Sequence, residues 1–170
     1  TAAPVLGSPR LAPNERIRAT VDQFAMSPDK RRASLAMTIE NLASEPVTMA
    51  LDNNGQLGTF AGPRVSLSDD LAATWYVRSV VGLPVVPCCY RSLSEIRVED
   101  FTTIGATDRV RVVVVFSDDN DGMGTVRPYN EPGSIPRRPT TFSFTADVLY
   151  GSPSGPQRFS IRLPLIKAPR

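Results

Sequence analysis

The sequence predicts an all-β fold, a sandwich of two antiparallel sheets with about eight strands. Three observations predict it. Arg109 to Phe116, RVRVVVVF, is the most apolar run in the chain, and its four consecutive valines disfavour helix and fit a pleated strand. Several further stretches alternate apolar and polar residues with the period of a half-buried strand. Sixteen prolines against eleven glycines work against long helices and suit strands joined by structured loops. A small closed barrel is the second architecture the pattern allows. The 170 residues are expected to form one domain, residues 15–170, behind an extended N-terminal arm, residues 1–14.

The arm carries Pro4, Pro9 and Pro13 and few apolar residues. It reads either as a tail or as a strap that lies on a neighbouring subunit. Its small residues and prolines also look like what remains after a signal peptide is removed, or like a proteolytic boundary. Ile17 to Phe24 alternates Ile17, Ala19 and Val21 against Arg18, Thr20 and Asp22. Ser27-Pro28-Asp29-Lys30 is a turn with proline where type I turns favour it. Ala33 to Asn41 follows with Ala33, Leu35, Met37 and Ile39 on one face, so the two runs form a hairpin. Asp52-Asn53-Asn54-Gly55 is a turn signal, since Asn and Gly tolerate positive φ. It is also rich enough in oxygen to be half of a calcium loop.

Val65 to Leu67 and Trp75 to Val81 read as strands around Asp69 to Thr74. A short helix capped by Ser68 or Asp69 is the competing reading. Trp75 is expected to anchor the core between the sheets. Glu95 to Phe101, EIRVEDF, alternates Ile96 and Val98 against Arg97 and Glu99 and reads as a half-exposed strand. Arg109 to Phe116 is expected to be central and buried on both faces. Thr140 to Tyr150 and Phe159 to Ile166 both alternate and make a long antiparallel pair, with Pro164 marking an edge strand.

Three of these places carry a resemblance. Asn41 ends a strand, small polar residues follow, and Pro46-Val47 enters the next. Leu67-Ser-Asp69-Asp-Leu-Ala72-Ala73-Thr-Trp75 matches a Leu-x-Asp-x-x-Gly-x-x-Tyr hairpin, with Ala72 or Ala73 where the glycine would be. Phe101-Thr-Thr-Ile104 leads through a small-residue turn into the valine strand that ends at Phe116. Together they resemble secreted bacterial immunoglobulin-like sandwich domains of uncharacterised lipoprotein type, over Ile17 to Ile166. The resemblance implies an immunoglobulin-like sandwich and no particular activity.

Gly82 to Tyr90 holds Pro84 and Pro87, which exclude a central strand. Cys88 and Cys89 are adjacent and are the chain's two cysteines. Neighbouring Cα atoms lie about 3.8 Å apart, whereas a relaxed disulfide wants roughly 4.4–6.8 Å. Free thiols are therefore expected, one facing in and one out, with a vicinal or intersubunit bridge as the alternatives. No histidine and no third cysteine exists to complete a zinc or copper site.

Ser117 to Pro139 is a long loop of the kind that often carries function. Ser117, Asp119, Asp121 and Gly122 fall on positions 1, 3, 5 and 6 of a calcium-loop template, but Pro128 stands where the bidentate Glu belongs. Asp119 and Asp121 are the candidate metal ligands, and a solvated acidic turn is the plainer reading. Arg127, Tyr129, Arg137 and Arg138 follow among prolines, and Arg and Tyr are enriched at protein interfaces. They are the candidate partner-binding residues. A loop that merely covers a sheet edge is the competing reading.

The absence of histidine removes the commonest general base and triads built on it. No Gly-rich phosphate loop and no CxxC occurs. Carboxylate pairs at Asp69/Asp70 or Asp118/Asp119 would serve glycoside hydrolysis only if they faced each other across a cleft. An enzyme is not expected. A net charge of +2 implies no nucleic acid. Seventeen of the nineteen basic residues are arginine, which fits GC-rich coding or a mosaic of arginine–carboxylate pairs. No apolar run approaches the roughly 20 residues a spanning helix needs. The sequence thus points to a non-catalytic structural or adaptor domain of a secreted, periplasmic or cell-envelope assembly. It would act through sheet edges, the arm and the 117–139 loop on a protein partner or on copies of itself. No cofactor is expected. A calcium- or carbohydrate-binding module built on Asp119 and Asp121 is the alternative.

Overall fold

A computed structural model describes residues 16–53, 62–118, 139–152 and 155–169. Nine strands run through them: β1 (Ile17–Met26), β2 (Arg32–Asn41), β3 (Val47–Leu51), β4 (Val65–Asp69), β5 (Thr74–Val81), β6 (Thr102–Ile104), β7 (Arg109–Ser117), β8 (Thr141–Ser152) and β9 (Gly155–Lys167). All ladder pairings between them are antiparallel.

One sheet runs β1-β2-β7-β5. In the other, β8 pairs with β9 on one side. On its other side β8 is shared, with β4 against Phe142 to Ala146 and β3 against Val148 to Tyr150. β6 extends this sheet beyond β3. β5 starts against β4 and continues against β7, so it joins the two layers along one side. Along the other side β1 and β9 come close but share no ladder among the described residues. The chain is an all-β antiparallel sandwich, and among the described residues the strands do not close into a barrel.

Alternation builds the core. Ala33, Leu35, Met37 and Ile39 of β2 are buried, and their faces meet Phe142, Phe144, Ala146 and Val148 of β8. Fully burying each such large side chain contributes roughly 1.5–3 kcal/mol. Aromatic pairs run down the middle, with ring centres 4.8 Å apart for Phe24–Phe142 and 6.2 Å for Phe116–Phe144. β7 lies inside its sheet, between β2 and β5, as expected. It is not buried on both faces: Val112, Val114 and Phe116 enter the core, while Val113 and Val115 are half-buried on the outer side. An open sandwich leaves that outer face uncovered.

The other departure is Glu95 to Phe101. It forms no strand but parts of two 3-10 turns, Leu93–Glu95 and Val98–Asp100. Val86 and Phe101 of this region pack on Ala50 and Leu149, which point out of β3 and β8 away from the main core. Tyr90, Leu93, Ile96 and Val98 lie around them. Residues 82–101 thus form a cover over one outer face. Gly82 turns the chain into it at φ 111°, and a Cβ there would strike the Arg111 carbonyl.

Candidate functional site

Asp119, Asp121, Arg127, Tyr129, Arg137 and Arg138 lie outside the described residues. The base of their loop does not. Asp118, buried where β7 ends, donates its amide to the Arg31 carbonyl at 3.0 Å. On the returning side Thr140 gives Asp70 both its amide, at 3.1 Å, and its hydroxyl, at 2.5 Å. The Asp70 amide in turn donates to Thr141 at 3.1 Å, and Ala168 donates to Thr140 at 2.9 Å. The Thr140 hydroxyl holds the Asp70 carboxyl below its ordinary pKa.

Two turns flank this base. In the β1–β2 turn the Ser27 hydroxyl bonds Asp29 at 2.5 Å, and Asp29 also receives the Arg31 amide at 3.1 Å. That Ser27 bond is the first cause of a lowered Asp29 pKa. In the β4–β5 turn the Asp69 carboxylate is buried and accepts three N–H groups. They come from Leu71 at 2.9 Å, Ala73 at 3.1 Å and the Trp75 indole at 3.0 Å. The short helix is not formed; Asp69 closes a turn in which Ala72 adopts φ 64°. Asp69 and Asp70 are each engaged by loop donors and do not face each other across a cleft. Trp75 sits in the core as expected, edge-on to Phe142 at 5.6 Å.

A second polar cluster lies beside the cover. Asp52 directly follows β3, with its side chain fully buried. Arg158 of β9 donates its Nε to Oδ2 at 2.6 Å, and Arg64 stands 3.9 Å away. The other oxygen accepts the Asn53 amide at 2.9 Å and the Tyr90 hydroxyl. Arg158 also donates to the Tyr90 oxygen at 2.8 Å. A carboxylate out of water is tolerated only when paired and hydrogen-bonded, and each oxygen here has a charged or hydroxyl partner. Burial, then the Asp52 bond, raises the Tyr90 pKa. Arg64 reaches on to Asp147 at 3.0 Å, and Arg18 pairs with Glu40 at 2.7 Å across β1 and β2. These pairs realise part of the arginine mosaic. As arranged, Asp52 holds a strand end and two distant segments together from a fully buried position.

Cys88 and Cys89 are bonded to each other as a vicinal disulfide, which corrects the expectation of free thiols. Cys89 takes φ 75°, a left-handed conformation unusual for a side chain. Among the described residues no group of His, Cys, Asp or Glu is arranged to hold a metal ion. Asp52 and Asn53 of the turn read as half a calcium loop are committed to the cluster and to the Val86 carbonyl, at 3.1 Å from the Asn53 amide nitrogen. Asn54 and Gly55 lie outside the described residues.

No protein-family model matches this chain, and no curated protein does. Solved structures do. The GAE domain of GGA2p from Saccharomyces cerevisiae is 9% identical, with a TM-score of 0.39 over 92% of this chain and 96% of that one. The ASH / PapD-like domain 7 of human CEP192 is 12% identical, with a TM-score of 0.36 over 94% and 91%. The CooA pilin subunit from enterotoxigenic Escherichia coli is 10% identical, with a TM-score of 0.38 over 90% and 97%. These are distant likenesses of overall fold.

Proposed function

We propose that this chain is a non-catalytic structural or adaptor domain of a secreted, periplasmic or cell-envelope assembly. It binds copies of itself or another protein through the 117–139 loop, with the N-terminal arm as a second contact. The observation that carries this reading is the anchoring of the loop base. Asp70 binds Thr140 through backbone and side chain, and Asp118 is tied to the β1–β2 turn at Arg31. The fixed base sets where this segment leaves and re-enters the sandwich, so a partner that binds the segment meets the fold at a defined place.

The sheet edges enter this reading as secondary contacts, because they carry features that disfavour strand addition. β1 is bulged between Val21 and Gln23, and β5 between Val77 and Ser79. β9 shifts register opposite Phe142 and Phe144, at Pro164. β6 is three residues long. Bulges, prolines and short strands are how edges are kept from pairing with another chain. A disulfide accords with an oxidising compartment outside the cytosol.

The test compares sedimentation of the whole chain with that of a variant carrying Arg127→Ala, Tyr129→Ala, Arg137→Ala and Arg138→Ala. Self-association that weakens by about tenfold or more, at an unchanged melting midpoint, is the expected result. Association indifferent both to this variant and to loss of residues 1–13 would overturn the reading.

A further inference from the structure

We propose that the Cys88–Cys89 disulfide is a thiol-reducible latch that keeps residues 82–101 closed over the outer face of β3 and β8. This goes beyond the adaptor reading and does not depend on it.

The cover is fastened at its ends. Leu51 donates its amide to Pro84 at 2.8 Å and accepts from Val86 at 3.0 Å. At the far end Phe101 is buried on the sheet and leads into β6. Between them the backbone bonds are local, Glu95 to Ser92 at 3.1 Å and Asp100 to Arg97 at 3.1 Å among them. The middle of the cover rests on the sheet through the apolar side chains of Leu93, Ile96 and Val98, and its polar tie among the described residues is Tyr90, through Asp52 and Arg158. The disulfide sits immediately before Tyr90. A bridge between neighbours closes a small ring through their shared peptide bond, so it constrains the backbone that aims Tyr90. Cys89 holds its left-handed φ of 75° inside that ring.

The bridge is within reach of solvent, since Cys88 is exposed and Cys89 half-exposed. A dithiol reductant can therefore attack it. Its thiolate bonds to Cys88 Sγ as the Cys88–Cys89 bond breaks, and Cys89 leaves as a thiolate and takes a proton. The second thiol of the reductant resolves the mixed disulfide, gives up its proton, and leaves Cys88 as a thiol. Two electrons enter the protein, and the reductant departs as its own disulfide. Without the ring Cys89 relaxes towards negative φ, which swings Tyr90 away from Asp52. The middle of the cover then opens between its fastened ends and bares the outward faces of Ala50 and Leu149.

Hydrogen exchange read by mass spectrometry tests this on the full chain. The air-oxidised protein is compared with the same protein reduced in place by dithiothreitol, and with a Cys88→Ser/Cys89→Ser variant. The proposal expects a gain of two hydrogens on reduction. Amides of 84–101 should then exchange about tenfold faster or more, with β2 and β7 unchanged, and the variant should match the reduced protein. If the variant fails to fold, the protein reduced in place gives the same reading. Equal exchange of 84–101 in both redox states would overturn the proposal. So would free thiols, or a bridge between two chains, in the oxidised protein.

Discussion

Trp75 donates its indole N–H to the buried carboxylate of Asp69 at 3.0 Å, and through that bond the β4–β5 turn is fixed to the aromatic centre of the core. The same carboxylate also collects two backbone amides of the turn. Asp69→Ala would leave three donors short of their acceptor, one of them in the core. The expected loss is about 3 kcal/mol, and Asp69→Asn should lose roughly half as much. Urea unfolding followed by Trp75 fluorescence measures both; equal midpoints for Asp69→Ala and wild type would refute this role.

Ala72 occupies φ 64°, where a side chain is costly and glycine is not. Relief of about 1–2 kcal/mol is offset by the extra freedom glycine has when unfolded, about 0.4–1 kcal/mol. Ala72→Gly should therefore stabilise the chain by roughly 0.5–1 kcal/mol. A higher urea midpoint at unchanged slope is the expected observation.

This position shows how far the sequence reaches. The alternation on either side of Asp69 to Thr74 reads as two strands with Trp75 as a core anchor, and the structure has both, whereas the left-handed φ of Ala72 has no signature in an Ala-Ala pair. Strands with clean alternation, such as β2 and β8, are legible because one face of each must enter the core. EIRVEDF misleads for a related reason. Ile96 and Val98 meet an apolar surface, but they lie over a sheet in 3-10 turns and are not part of one. The Asp52 cluster has no local signature, since Tyr90 and Arg158 stand 38 and 106 residues away in sequence. Cα spacing disfavours a vicinal bridge, and the structure accommodates one with a left-handed Cys89.

Asn41, at the opposite end, is fully buried with partners on both atoms of its side-chain amide. Its amide nitrogen donates to the carbonyls of Glu45 at 2.8 Å and of Ile104 and Gly105 at 3.1 Å, and its oxygen accepts from Ala43 at 2.9 Å. It joins the turn after β2 to the turn before β7, which is why the strand ends in Asn. Asn41→Asp replaces the donor with a second acceptor facing three carbonyls. It should cost more than Asn41→Ala, itself about 3 kcal/mol. Thermal melting of the two variants gives the order, and the reverse order would contradict it.

Tyr90 makes alkaline stability informative. Burial first, then Asp52, raises its pKa in the folded chain, so folding favours the protonated phenol. The associated stability is complete below the ordinary tyrosine pKa of about 10 and is lost as pH rises through the higher folded value. Tyr90→Phe should cost about 1.5 kcal/mol at neutral pH through the lost bond to Asp52. Its stability should then fall less steeply than wild type above about pH 10. Tyr150, whose pKa burial also raises, keeps part of the alkaline slope in both proteins. Parallel curves would remove Tyr90 from the account.

The central claim is a loop-mediated assembly domain, and light-scattering mass across concentration tests it most directly, first with excess calcium and then with EDTA. The account predicts a mass that rises with concentration and is the same in both. A monomer throughout would contradict self-assembly, and a mass that follows calcium would move the function to the Asp119 and Asp121 loop.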